Sequence, residues 1–231
     1  MLSIGVVLLI PATLYLGTQL TGRWYYLTST LMIIECMLPF FLRFETRKPQ
    51  ARELIILAVM CALSIVGRIA IPIPHFKAVT GLVMITGIAF GAEAGFMTGA
   101  IAAFASNFFY SQGPWTPWQM MSYGIAGFLA GLLFHRKQHI LWGKPILSLG
   151  ILTVFGFVAT ILVVGPLLDC CTIFTTGGKI TLKYAMAVLA VGFPTNVAHG
   201  IGCAATLLLF SRPLLGMLQR LQIKYGIINP S

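Results

Sequence analysis

Ser106-Asn-Phe-Phe-Tyr-Ser-Gln-Gly-Pro-Trp-Thr-Pro-Trp-Gln-Met-Met-Ser-Tyr123 joins two apolar segments through a short hinge that is polar and aromatic at once. Gly113, Pro114 and Pro117 bar one continuous helix, because proline lacks an N–H and fixes φ. The stretch therefore divides two helices. Tyr110, Trp115, Trp118 and Tyr123 carry large amphipathic rings, of the kind that gather where bilayer meets water. Asn107, Gln112, Gln119 and Ser122 set amides and a hydroxyl among them. Two readings stand: an interfacial aromatic belt, which explains the rings better than the amides, and one wall of an extracellular binding pocket.

Outward from the hinge, the pattern repeats along the chain. Its 231 residues are 58% hydrophobic and 9% charged, with a mean hydropathy of +0.93. Repeated apolar runs near the ~20 residues of a bilayer crossing predict an all-α polytopic membrane protein. An outer-membrane barrel would alternate polar and apolar residues in segments of about ten, and this chain does not. The net charge of +10 lies mostly in short loops, where it sets orientation, so nucleic acid is not implied. Cys36, Cys61 and Cys203 fall inside apolar runs as small hydrophobes. Cys170 and Cys171 are adjacent, a poor geometry for pairing, and no CxxC or zinc spacing occurs.

Eight crossings are expected. Leu2–Leu20 lacks a basic n-region and a small-x-small cleavage site, and so reads as a retained helix kinked at Pro11. Trp24–Leu42 is the second and holds Glu35, for which a structural role is favoured. The loop Arg43–Arg52 is the densest basic stretch and marks the cytoplasmic side. The third runs from Glu53 to Ile71, the fourth from Ala78 to Gly91, and the fifth climbs to Tyr110. The sixth spans Trp118–Phe134, the seventh Ile146–Leu168, and the eighth Thr181–Phe210, ahead of a basic tail. This arrangement puts ten Lys and Arg inside and five at the outer side, with both termini cytoplasmic. Gly91-x-x-x-Gly95-x-x-x-Gly99 and Gly127-x-x-x-Gly131 line single helix faces where backbones can touch, as does the small pair Ala58-x-x-x-Ala62.

Catalytic and cofactor motifs are missing, and no cofactor is expected. Thr176-Gly-Gly-Lys-Ile-Thr181 lacks the leading glycine of a phosphate loop, follows no strand and has Ile180 where Ser or Thr should hold magnesium. No HExxH or GxSxG occurs, so an enzyme acting on lipid has little support. His135 and His139 have metal-like spacing but lie in a basic loop, where solvated histidines are the expectation. A self-sufficient secondary transporter would need coupling carboxylates near the midplane, and Glu35 is the one candidate. What remains is polar chemistry at outer helix ends. Arg68, ahead of His75 and Lys77, either snorkels outward or faces a polar cavity as a hydrogen-bond fork for an oxygen-rich ligand. Asn196, His199 and Cys203 share one face of the eighth segment beyond Pro194, which should kink it. Asn196 and His199 are either interhelical struts or contacts at a pocket floor.

From Arg52 to Tyr225 the chain resembles the substrate-binding S components of energy-coupling-factor (ECF) vitamin transporters. The resemblance rests on Ala58-x-x-x-Ala62, the Asn107–Gln119 junction, Asn196-Val-Ala-His199 and the basic tail Arg212–Tyr225. The Gln-Gly-Pro-Trp-Thr-Pro-Trp-Gln junction is the most specific of these. It implies a six-helix core (51–231) in the cell membrane that binds a vitamin from outside. The core would dock on a membrane T component, itself carrying two cytoplasmic ATPases, and tilt in the bilayer to deliver its load. By position, Ala58 and Ala62 would form the docking face. His75, Gln112–Thr116 and Asp169–Lys179 would line or cap the ligand. Two departures stand out: residues 1–50 add two helices ahead of the core, and the outer loop Pro72–Lys77 is short for a lid. The junction is most similar to the cobalamin-associated branch, whose flat, carboxamide-rimmed ligand suits rings and amides; a smaller vitamin or precursor is the alternative.

Overall fold

The computed structural model describes residues 24–46, 48–70, 73–137, 145–175 and 180–226. The expected first helix, Leu2–Leu20, lies outside them, as do His139, Lys144 and Lys179. Among the described residues the chain is all helix and contains no strand. Eight α-helices occur there: α1 (Trp24–Thr46), α2 (Ala51–Ile69), α3 (Val79–Phe90), α4 (Ala92–Tyr110), α5 (Thr116–Phe134), α6 (Pro145–Ala159), α7 (Gly165–Thr175) and α8 (Leu182–Lys224). A π-turn at Thr160–Val164 runs α6 into α7 without a break. Among the described residues two stretches are long and apolar enough to cross a membrane, Leu147–Thr175 and Leu182–Lys224.

The fold is built around α3. All twelve of its residues are buried, enclosed by α2, α4, α5 and α8. At ~1.5 Å per residue α3 rises about 18 Å, well short of a bilayer crossing, so its neighbours must shield it. Gly91, at φ 99°, breaks α3 from α4 in a backbone region that side chains avoid. α4 then packs closely on α5 through the glycines. A Cβ at Gly127 would lie 2.4 Å from the Gly95 carbonyl oxygen, and one at Gly99 would lie 2.4 Å from that of Tyr123. Small residues here let two backbones meet, as the spacing predicts.

α1 lies along this pair. Phe40 stacks on Phe96 with centroids 4.2 Å apart and meets Phe128 edge-on at 5.0 Å. At the helix end Arg43 Nε donates to Glu93 Oε1 at 3.0 Å. Glu35 is half-buried in α1.

Three expectations about element ends are corrected. The eighth helix does not stop at Phe210: α8 continues to Lys224, with Pro194 and Pro213 inside it. Its last turns are held by tertiary contacts, since Leu215 and Leu218 join the core and Gln222 Nε2 donates to the Ala89 carbonyl at 2.8 Å. Asp169 does not open an outer loop, because helix persists through α7 to Thr175. Pro117 stands in the first turn of α5, where a missing N–H costs nothing.

Gly127→Ala is expected to lower stability by about 1–3 kcal/mol, since its new methyl meets backbone that cannot yield. Gly150→Ala is the control, with nothing within 4 Å of its Cβ position. Thermal unfolding in detergent should drop for the first and hold or rise for the second.

Candidate functional site

Arg68 sits in the last turn of α2, 7% exposed, with its guanidinium turned into the bundle. Nη1 donates to Asn107 Oδ1 at 2.9 Å, to the Ala103 carbonyl at 3.4 Å and to Ser106 Oγ. Nη2 donates to Gln119 Oε1 at 3.1 Å. The rings of Tyr110 and Tyr123 stand 5.1 and 5.6 Å from the guanidinium carbon, as cation–π partners. Tyr110 also donates its hydroxyl to the Arg68 carbonyl at 3.0 Å, satisfying a group at the helix end. Arg68 therefore does not snorkel. Its planar fork matches acceptors on α4 and α5 and fastens α2 to both.

From Arg68 the network runs into the hinge. Asn107 Nδ2 donates to Thr116 Oγ1 at 3.1 Å, and Thr116 Oγ1 donates to Gln112 Oε1 at 2.8 Å. Gln112 Nε2 returns to the Phe104 carbonyl at 2.9 Å. The amides that an aromatic belt left unexplained thus brace the α4–α5 junction. The rings divide. Trp118 and Tyr123 are buried, whereas Tyr110 and Trp115 are exposed, with Trp115 Nε1 donating to the Ser111 carbonyl at 3.3 Å.

A second set of contacts crosses from α5 to α7 and α8. His199 Nε2 lies 2.7 Å from Thr80 Oγ1, and its ring meets Tyr123 edge-on at 5.9 Å. Asn196 Nδ2 donates to Asp169 Oδ2 at 2.8 Å. Both α8 residues act as interhelical struts. Ser122 Oγ donates to the Val164 carbonyl in the π-turn at 2.8 Å. A π-turn leaves carbonyls out of the usual ladder, and such turns recur at functional sites. Trp118 stacks on Phe174 at 5.6 Å, yet its buried Nε1 has no hydrogen-bond partner.

The structure therefore gathers Arg68, Asn107, Tyr110, Gln112, Thr116, Gln119 and Tyr123 into one network, with His199 joined through the Tyr123 ring. Lys77 Nζ approaches the Tyr110 ring at 5.8 Å. Asn196 pairs with Asp169, and Trp118 packs on Phe174. His75 is exposed in the α2–α3 loop with φ 61°. Ser122 was singled out among the hinge polar groups, whereas roles for Thr80, Ser106 and the π-turn were not foreseen, since a lone hydroxyl in an apolar run carries no signal. Ala58 and Ala62 are exposed on α2, in one face with Ile55, Val59 and Val66. Cys61, Cys171 and Cys203 are buried free thiols, and Cys170 is a half-buried one. His135 Nδ1 lies 2.9 Å from the Ile88 carbonyl, and among the described residues no three His, Cys, Asp or Glu side chains converge as a metal site.

The model of the family described as ECF transporter, substrate-specific component, matches residues 52–210. No curated protein and no solved structure matches the chain.

Arg68→Met should leave several acceptors unpaired and lower stability by about 1–3 kcal/mol for each that stays buried. Arg68→Lys keeps the charge without the fork and should recover part of that loss. Thermal unfolding of both variants checks the order, and equal loss would deny the fork its role.

Proposed function

This chain belongs to the substrate-specific components of ECF transporters, and from that premise we propose that it captures a vitamin at the Arg68 end of the bundle. It then delivers the vitamin through a T component driven by two cytoplasmic ATPases. The observation that carries the proposal is convergence. Polar side chains from α2, α4 and α5 meet at one end of the bundle, His199 of α8 joins them through the Tyr123 ring, and Asn196 of α8 pairs with Asp169 of α7. Buried polar groups are costly unless paired, so such a concentration calls for a use, and a solute rich in oxygen and nitrogen supplies one.

Among those groups, the unpaired Trp118 Nε1 is a ready donor. The exposed Tyr110 and Trp115 rings offer flat faces at the rim, near the Gln112 amide. Those faces and amides favour cobalamin as the ligand, approached from outside the cell, with the crossings alternating so that both termini are cytoplasmic. The engaged fork of Arg68 favours the second reading, a smaller vitamin or precursor: a ligand that uses this guanidinium must displace a protein acceptor.

Delivery rests on α2. Its exposed face around Ala58 and Ala62 would meet the T component, where small side chains let two helices slide. Arg68 lies on the same helix, so binding at the rim and docking along the flank share one rigid element.

Purified protein titrated with cobalamin should show quenched tryptophan emission, and Trp115→Ala should weaken binding about tenfold, as loss of one stacking contact implies. Cobalamin silence with a response to a smaller vitamin supports the second reading, and silence to every vitamin tried contradicts the proposal. Ala58→Trp should abolish uptake in vesicles bearing all subunits while leaving binding intact. Loss of both together would remove the docking role.

A further inference from the structure

At the end of the bundle opposite Arg68 the structure holds a cavity of about 690 Å³. Fifteen residues of α2 separate Glu53, on its wall, from Arg68, a distance of about 22 Å. Arg43, Lys48, Glu53, Glu93, Arg136 and Gln222 give the wall its chemistry. Arg43 is engaged with Glu93 at 3.0 Å. That leaves Lys48 and Arg136, both exposed, against the carboxylate of Glu53. The first turn of α4 also begins at this wall, and its leading N–H groups have no acceptor within their own helix. The electrostatic balance therefore favours an anion.

Gln222 supplies an independent sign. It is 2% exposed, and its Nε2 is held by the Ala89 carbonyl at 2.8 Å. Its Oε1 is buried with no hydrogen-bond partner. A buried amide oxygen without a donor is uncommon, and a ligand hydroxyl would satisfy it. Leu132, which also lines the cavity, is 60% exposed and gives the rim an apolar lip.

From an anion site, a hydroxyl acceptor and an apolar lip, we infer that the cavity holds a glycerol phosphate ester, carried as the headgroup of an anionic lipid. The phosphate lies against Lys48, Arg136 and the start of α4. A glycerol hydroxyl donates to Gln222 Oε1, and the acyl chains leave past Leu132. Basic pockets among membrane helices bind phospholipid headgroups by this chemistry. The site is separate from the Arg68 end, so its failure leaves solute capture untouched.

Native mass spectrometry of the full chain, given equal phosphatidylglycerol and phosphatidylcholine, tests the site. Phosphatidylglycerol should be retained at least about fivefold over phosphatidylcholine. Lys48→Gln with Arg136→Gln should bring the ratio near one, and both side chains are exposed. Gln222→Met should lower the preference for phosphatidylglycerol over phosphatidic acid, which lacks the headgroup glycerol. Soluble glycerol phosphate separates the sources: displacement of the lipid at millimolar level would assign the site to a free phosphate ester and overturn the lipid assignment, whereas no displacement supports it. Equal retention of the two lipids by the unaltered chain, or a preference that survives the double variant, overturns the site altogether.

Discussion

A guanidinium held away from water must find an acceptor for each N–H it presents, and that demand fixes one end of this protein. Arg68 reaches Ala103, Ser106 and Asn107 on α4 and Gln119 on α5. A charge in the hydrocarbon costs at most about 2.5–3.5 kcal/mol on insertion scales, the value for a helix centre, and Arg68 stands in the last turn of α2. Here charge-assisted hydrogen bonds offset that cost, and two tyrosine rings add cation–π attraction. The hinge between α4 and α5 inherits its shape from the same arrangement, because Asn107 relays it to Thr116 and Gln112. Without the fork, three helices at this end would lose their common tie.

The bundle is polarised as a result. One end concentrates amides, hydroxyls and rings around Arg68. The other carries Arg43, Lys48 and Arg136 around a cavity, and Arg52 there reaches the Tyr225 carbonyl at 3.3 Å, tying the start of α2 to the end of α8. Between the ends, α3 fills the centre with twelve buried residues while glycines close α4 on α5. Under the proposed function, α2 is the element that joins capture to delivery. It bears Arg68 at one end and a bare Ala58–Ala62 flank along its length.

Local chemistry was legible in the sequence. Gly113, Pro114 and Pro117 placed the break between α4 and α5, and the GxxxG spacing marked the helix faces where backbones approach, though not which helices would meet. Struts at Asn196 and His199 were foreseen as one of two alternatives, although their partners, Asp169 and Thr80, were not. What stayed hidden depends on contacts between distant residues. Arg212 and Pro213 look like the end of a span, yet Leu215, Leu218 and Gln222 find buried partners that carry α8 onward. The π-turn has no local signature. Arg68 was visible as an anomaly, but its inward direction was decided by acceptors that lie 35 to 51 residues further along the chain.

The central claim is that the Arg68 end faces the solute and the basic end faces the cell interior. Labelling with a membrane-impermeant thiol reagent in intact cells tests it, using Trp115→Cys and Arg220→Cys in a background with the native cysteines replaced. Trp115→Cys should label at once, and Arg220→Cys after the membrane is opened. The reverse pattern would contradict the account.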